Sequence, residues 1–309
     1  MTIARCAERS VVLDEPMAGT ASRIRRYLLI EVPGPWGVEA LRDARLPDAL
    51  KRELRRRSRA SGVRVLLIRR VNGPRTVRQP QVFVVDVNPA QPMAFAGRLS
   101  DVHDVLDLDV WGWRRETSVG HEVRERHEAH TGLERHSEAL ILVCTHGRHD
   151  PCCAERGRPV VRALSEAYPE QTWECSHMGG DRFAGNLLCL PDGVVYGRVT
   201  PGDAPTIARE YVAGRIDLAH LRGRGSYPFA VQAAEWHLRT ELGLTGVREL
   251  LLTGHDVDGR DVTAVFTTTS GATWSVQVRI THAPPRRLTC HAENAFAAPQ
   301  FQLLHVNRL

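Results

Sequence analysis

Residues 138–175 read EALILVCTHGRHDPCCAERGRPVVRALSEAYPEQTWEC, and the class of the fold follows from this stretch. Glu138–Val143 is a short apolar run of the kind that forms a buried strand, and it delivers Cys144 at its C-terminal end. Thr145–Asp150 is polar and reads as a loop. Pro151 suits the first turn of a helix, where the N–H it lacks would be unbonded anyway, and Asp150 before it supplies a cap. That helix is expected to reach about Tyr168, with Thr172–Cys175 as the next strand.

Working outward, Leu187–Leu190 and Val194–Val199 flank Pro191–Asp192–Gly193, a hairpin signal. Thr200–Pro201–Gly202–Asp203 reads as a helix opening, with Thr as cap and Pro at the first helical position. Strand, helix, strand, hairpin and helix is the order of a thioredoxin-like half-fold. Toward the N-terminus, Arg26–Val32 is an apolar run closed by Pro33–Gly34–Pro35. A helix over 47–60 and strands over Val63–Val71 and Pro80–Val87 follow. Residues 100–137, rich in His, Asp, Glu and Arg, read as a connecting region of irregular or helical pieces. Beyond the centre, Ser226–Leu242 is an amphipathic helix, followed by strand-like Leu250–Thr253, Val262–Thr269, Thr273–Ile280 and Arg287–Cys290.

The expectation is an α/β protein with thioredoxin-like domains: an N-terminal α/β half with its connecting region (1–135), a central half (136–222) and a small C-terminal α+β unit (223–309). No internal repeat and no low-complexity tract is visible in the sequence.

Composition narrows the function classes. With 42% hydrophobic and 25% charged residues in 309, the chain has the make-up of a globular protein with a real core. Its formal charge of +5 is a small excess of 41 basic over 36 acidic residues, mixed along the chain, so no nucleic-acid partner is expected. The densest basic run, Lys51–Arg52 with Arg55–Arg57 and Arg59, reads as the solvated face of a helix. No stretch is long and apolar enough for a bilayer, and Met1–Gly19 has acids and no apolar region like that of a leader, so a cytoplasmic location is expected. In a reducing compartment, cysteines that cluster suggest metal or redox chemistry. Of the seven, Cys144, Cys152, Cys153 and Cys175 fall close together; Cys6, Cys189 and Cys290 read as core residues.

Cys144 at a strand end and Cys153 in the first turn of the next helix can both face the mouth of their loop. A helix N-terminus there stabilises an anionic centre. The second half of the site is expected from the following loop, Cys175–Ser176–His177–Met178–Gly179–Gly180–Asp181. Its two glycines would let the backbone approach an inorganic core closely. Cys152, about 100° round the helix from Cys153, reads as a packing residue. His146 and His149 are either donors to the ligands or loop polar groups. Arg148 and Arg182 either offset the charge of the centre, dock an acidic partner or face solvent, and Trp173 and Phe183 read as walls.

Three segments carry a family resemblance: CTHGRHDPCCAERGRP (144–159), WECSHMGGDRFAGN (173–186) and LPDGVVYGRVTP (190–201). With YLLIEVPGPWG (27–37) and VQAAEWHLR (231–239), they resemble the sucrase/ferredoxin-like family, which includes thioredoxin-like ferredoxins. The resemblance implies a [2Fe–2S] cluster held by a C-x8-C and an H-x3-H pair, that is by Cys144, Cys153 and His177. Asp181 stands where the pattern has its second histidine. The fourth ligand is therefore open between Asp181, a harder carboxylate, and Cys175, the thiolate iron–sulfur clusters prefer, with Cys152, His146, His149 or an open position behind them. The implied function is one-electron transfer between a reductase and an acceptor protein. Sucrase activity finds no pair of carboxylates in a glycosidase setting, and no G-x-G-x-x-G follows a strand to bind a dinucleotide. The alternatives are a structural Cys₃His zinc site built from Cys144, Cys153, Cys175 and His177, or a thiol redox enzyme using Cys152 or Cys153.

Overall fold

The computed structural model describes residues 5–112 and 132–309. Residues 113–131 of the expected connecting region lie outside the described residues. The apolar run Arg26–Glu31 is strand β1, and the short helix α2 (Ala40–Asp43) and helix α3 (Asp48–Ser61) lead to β2 (Arg64–Arg69), β3 (Gln81–Asp86) and β4 (Met93–Arg98). The central segment follows the sequence closely: β6 (Leu140–Cys144), α4 (Pro151–Ala167), β7 (Thr172–Cys175), β8 (Leu187–Leu190) and β9 (Val194–Tyr196), with β5 (Glu134–Arg135) before them. Asp150 is the N-cap of α4, its carboxylate accepting from the Cys152 N–H, and Pro151 opens the first turn.

These strands join β10 (Leu221–Arg224) in one ten-stranded sheet, ordered β10-β9-β8-β6-β7-β2-β1-β3-β4-β5. β1 runs parallel to β2 and antiparallel to β3, which is antiparallel to β4. β6 repeats this arrangement with β7, β8 and β9. The repeat that the sequence does not display is therefore present in the topology. The two halves meet edge to edge where β2 pairs antiparallel with β7, Ile68 opposite Cys175.

Alternation along the strands gives the sheet two apolar faces. One face is a single core through both halves, with Leu29, Ile68, Phe83, Leu142, Cys144, Trp173, Cys175 and Leu188. The other is divided: Leu28, Ile30 and Leu67 pack with Leu50 and Leu54 of α3, while Ile141 and Val143 pack with Val160, Val161 and Leu164 of α4. A Cβ on Gly157 of α4 would come within 2.1 Å of the Cys144 carbonyl oxygen, so only glycine lets this helix lie so close to the end of β6.

The C-terminal part is α+β, as expected: α6 (Phe229–Leu242) covers an antiparallel sheet of β11 (Leu250–Asp258), β12 (Asp261–Thr268), β13 (Thr273–His282) and β14 (Pro299–Arg308). Arg287–Cys290 is not a strand; the fourth strand is β14, whose alternating Phe301 and Leu303 pack on the core. The helix expected from Pro201 begins instead at Ala204 as α5 (Ala204–Val212). The Thr200 hydroxyl spends its hydrogen bond on the Asp203 carboxylate at 2.5 Å, holding residues 201–203 in a turn. A further helix, α1 (Cys6–Val12), lies in the N-terminal segment, where the sequence pattern announces no element.

Candidate metal centre

β6 carries Cys144 to the edge of the loop, and the first turn of α4 brings Cys153 back beside it. The Sγ atoms of these two cysteines and one imidazole nitrogen of His177 lie within 4.8 Å of one another. The loop after β7 supplies Asp181 as well: its Oδ1 accepts from the Cys153 thiol at 3.1 Å and stands 3.0 Å from His177 Nδ1. At that ion-pair distance His177 Nδ1 is nonetheless buried without an aligned hydrogen bond. His149, His177 and Asp181 form a second overlapping group within the same 4.8 Å limit, and the His149 ring stacks on that of His177 with centroids 3.8 Å apart.

The five residues singled out from the sequence thus divide. Cys144, Cys153, His177 and Asp181 converge. Cys175 lies opposite Cys144 in the parallel β6·β7 register, fully buried in the core, and belongs to neither ligand group among the described residues.

Electrostatics fit this arrangement. The Cys144 thiol is held well below the ordinary range by the adjoining Cys153 thiol and by His177, although burial opposes the shift. Cys153 is pushed up by the neighbouring Cys144, by burial and by Asp181. Burial disfavours charge on His177, but the Asp181 carboxylate and Cys144 sulfur outweigh it and raise the imidazole to about 9. Burial likewise works against the Asp181 carboxylate, yet His177 brings its pKa below the usual value. Burial pushes Cys175 up, with the neighbouring Cys144 adding to the effect.

Supporting groups come from both halves of the sheet. His146 Nε2–H donates to the Gly37 carbonyl at 2.6 Å, which leaves Nδ1 to accept from the His177 backbone N–H at 3.2 Å. Both of its nitrogens are occupied, so His146 positions the His177 loop and is not a free ligand. Trp36 meets the His146 ring edge-on, and Arg64 donates to the His177 carbonyl at 3.0 Å. Trp173 is a core wall against Phe83, with Arg70 stacked on it; Phe183 lies beneath the guanidinium groups of Arg182, Arg198 and Arg222.

Arg222 is the residue that sequence reading missed. It is fully buried and donates to the carbonyls of Thr20 and Gly179 and to Asn186 Oδ1 at 2.5, 3.1 and 2.8 Å. Burial above all, with Arg182, brings its pKa down to about 9 against the opposing pull of Asp181, Cys144 and Cys153. It is the buried positive charge that an anionic thiolate centre needs. Gly180 serves it directly: its φ is +83°, and a Cβ there would sit 2.3 Å from the Arg222 guanidinium. This glycine makes room for a cation and a left-handed turn. No sequence signal distinguishes Arg222 from the other arginines.

Among the described residues no helix is long and apolar enough to cross a membrane. The sucrase/ferredoxin-like family model matches residues 17–223, two thirds of the chain, and the chain belongs to that family. No curated protein and no solved structure matches it.

Proposed function

We propose that this member of the sucrase/ferredoxin-like family holds a [2Fe–2S] cluster through Cys144, Cys153, His177 and Asp181 and acts as a one-electron carrier. The observation that carries the reading is the convergence of two buried thiols with an imidazole whose Nδ1 is buried without an aligned hydrogen bond. That atom stands 3.0 Å from Asp181 Oδ1, so imidazole and carboxylate are held together beside the two thiols. Two thiolates, an imidazole and a carboxylate suit iron–sulfur ligation in charge and softness, and Arg222 offsets their net negative charge. When bound, the cluster supplies reversible exchange of one electron. The chain's own part is to exclude water with Trp36, Met178 and Phe183, to fix His177 through His146, and to set the potential. With two thiolates in place of four, that potential should lie above that of a plant-type ferredoxin. His177 is the ligand nearest solvent, its side chain 18% exposed against 4% for Asp181. Electrons would enter and leave past the stacked His149–His177 edge, from a reductase and to an acceptor protein.

Protein purified without oxygen is expected to be red-brown, with about two irons and two acid-labile sulfides per chain. Cys144→Ser and Cys153→Ser should abolish that colour, and Cys189→Ser, deep in the core under α4, should leave the spectrum unchanged. Asp181→Ala should alter the spectrum more than Cys175→Ala or His149→Ala. Stoichiometric zinc at these ligands with no labile sulfide would replace the electron-transfer reading with a structural zinc site.

A further inference from the structure

A second cluster of ligand side chains lies outside the centre just described. Cys6 of α1, Asp150 and Cys152 at the start of α4, and Cys290 place one donor atom each within 4.8 Å of one another. The three cysteines come from segments far apart in sequence, and Cys6 and Cys290 both lie outside the family-matched residues 17–223. Cys6 and Cys152 are buried among apolar neighbours, as expected of packing residues, but together with the half-buried Cys290 they form one cluster and not three separate positions.

The distances have a recognisable meaning. Cys152 Sγ lies 3.5 Å from Cys6 Sγ and 3.5 Å from Cys290 Sγ, and Cys6 Sγ is 3.8 Å from both oxygens of Asp150. A tetrahedral zinc ion with Zn–S bonds of about 2.3 Å sets S···S edges of about 3.8 Å and S···O edges of about 3.6 Å. The three edges these distances give, 3.5, 3.5 and 3.8 Å, are close to those of such a tetrahedron, and all four donors lie within 4.8 Å of one another. The surroundings suit thiolates as well: the Cys6 backbone N–H donates to Cys290 Sγ at 3.4 Å. Asp150 is fully buried and oriented by two backbone donors, Cys152 N–H to Oδ1 at 2.9 Å and Cys290 N–H to Oδ2 at 2.8 Å. It has no cation within ion-pair distance among the described residues. Asp150 caps α4 and holds the Cys290 segment through these two bonds, and its carboxylate also faces the three thiols, a donor set that suits a divalent cation.

We propose that Cys6, Cys152 and Cys290, with Asp150 as the fourth donor, bind one Zn²⁺ ion that ties α1 and the Cys290 segment to the start of α4. Binding releases the three thiol protons to solvent, and the ion remains divalent throughout. The site is separate from the Cys144–Cys153–His177 centre, although Cys152 and Cys153 are neighbours on one helix.

The test is metal analysis of the full-length protein, isolated anaerobically without chelator. Wild type should contain one zinc per chain beside its iron. Cys6→Ser and Cys290→Ser should lose the zinc and keep the iron and visible spectrum, whereas Cys144→Ser should lose the iron and keep the zinc. Should the serine variants not fold, Co²⁺ titration of metal-depleted Cys144→Ser protein reads the remaining site directly. One equivalent of Co²⁺ should give tetrahedral d–d and thiolate charge-transfer bands, and Zn²⁺ should bleach them. Zinc that persists in Cys6→Ser and Cys290→Ser overturns the proposal. So does wild-type protein without zinc, whether its three thiols are free or a Cys6–Cys152 disulfide is present, and so does Co²⁺ that gives no tetrahedral spectrum.

Discussion

The two halves of the ten-stranded sheet share a strand order and differ in what they do with it. In the central half, the end of β6 and the start of α4 present Cys144 and Cys153. In the N-terminal half, the matching places are Glu31 at the end of β1 and Pro47–Asp48 at the start of α3, and no thiol stands there. The loop between β1 and α3 acts instead as a support. Its Gly37 and Val38 carbonyls receive His146 and His149, and its Trp36 packs on His146. One copy of the arrangement carries Cys144 and Cys153, and the other braces the histidines beside them. Topology alone therefore assigns no chemistry; the side chains placed at the strand ends do.

The outer strands differ just as sharply, and this gives the largest predicted contrast. β10 on the edge of the central half is buried, and β5 on the edge of the N-terminal half is exposed. Arg222→Met should cost about 3–5 kcal/mol, since it removes a buried charge and orphans its carbonyl acceptors. Arg135→Met on the exposed β5 should stay within about 0.5 kcal/mol. Denaturant midpoints of the two variants check this, and similar losses would erase the distinction between the edges.

A second prediction concerns pH in metal-free protein, where the central half alone should respond near neutrality through its ligands. The folded His177 pKa is about 9, above the ordinary 6.5, because Asp181 and Cys144 favour the imidazolium over the cost of its burial. A raised pKa means stability fully present below pH 6.5 and lost as pH rises through 9. On about 1.36 kcal/mol per pKa unit the loss is on the order of 3 kcal/mol. Urea unfolding across this range should show it in wild type and not in His177→Gln. A wild-type curve without slope would remove the His177–Asp181 pair from the account.

The smallest effect tests the bracing itself. His146→Phe keeps the ring against Trp36 but loses the bonds to Gly37 and His177, and metal affinity should fall about 10–100-fold. The iron content of that variant under a competing chelator measures it. Unchanged retention would mean that the N-terminal half is a bystander.

Much of this was legible because the signals are local. Asp150 and Pro151 mark a helix start, Pro191–Gly193 marks a hairpin, and EALILV reads as a buried strand whichever sheet it joins. The family pattern singled out Cys144, Cys153 and His177, which the structure brings together, but it does not tell which of Cys175 and Asp181 lies nearer to them. Residue 175 shares the core face of Cys144 and Cys153 but belongs to no ligand group among the described residues, while the turn at Gly180 brings Asp181 Oδ1 to 3.1 Å from the Cys153 sulfur. Cys6, Cys152 and Cys290 could not be joined by spacing, because chain folding alone brings positions 138 and more residues apart to 3.5 Å. Arg222 was hidden for a similar reason: its burial follows from β10 pairing with β9, and Leu221–Arg224 (LRGR) carries no apolar pattern to announce a strand.

The antiparallel junction of β2 and β7 also bears on how the chain avoids self-association. Each half, taken alone, would end in a strand with unpaired N–H and C=O groups, a template for adding a foreign strand. Fusing the halves satisfies both rims at once, with Arg69 and Glu174 locked across the seam at 2.7 Å. A fragment that carried only the central half would bare Thr172–Cys175 to solvent, and the nearest complementary strand in a concentrated solution would be the same four residues of another fragment.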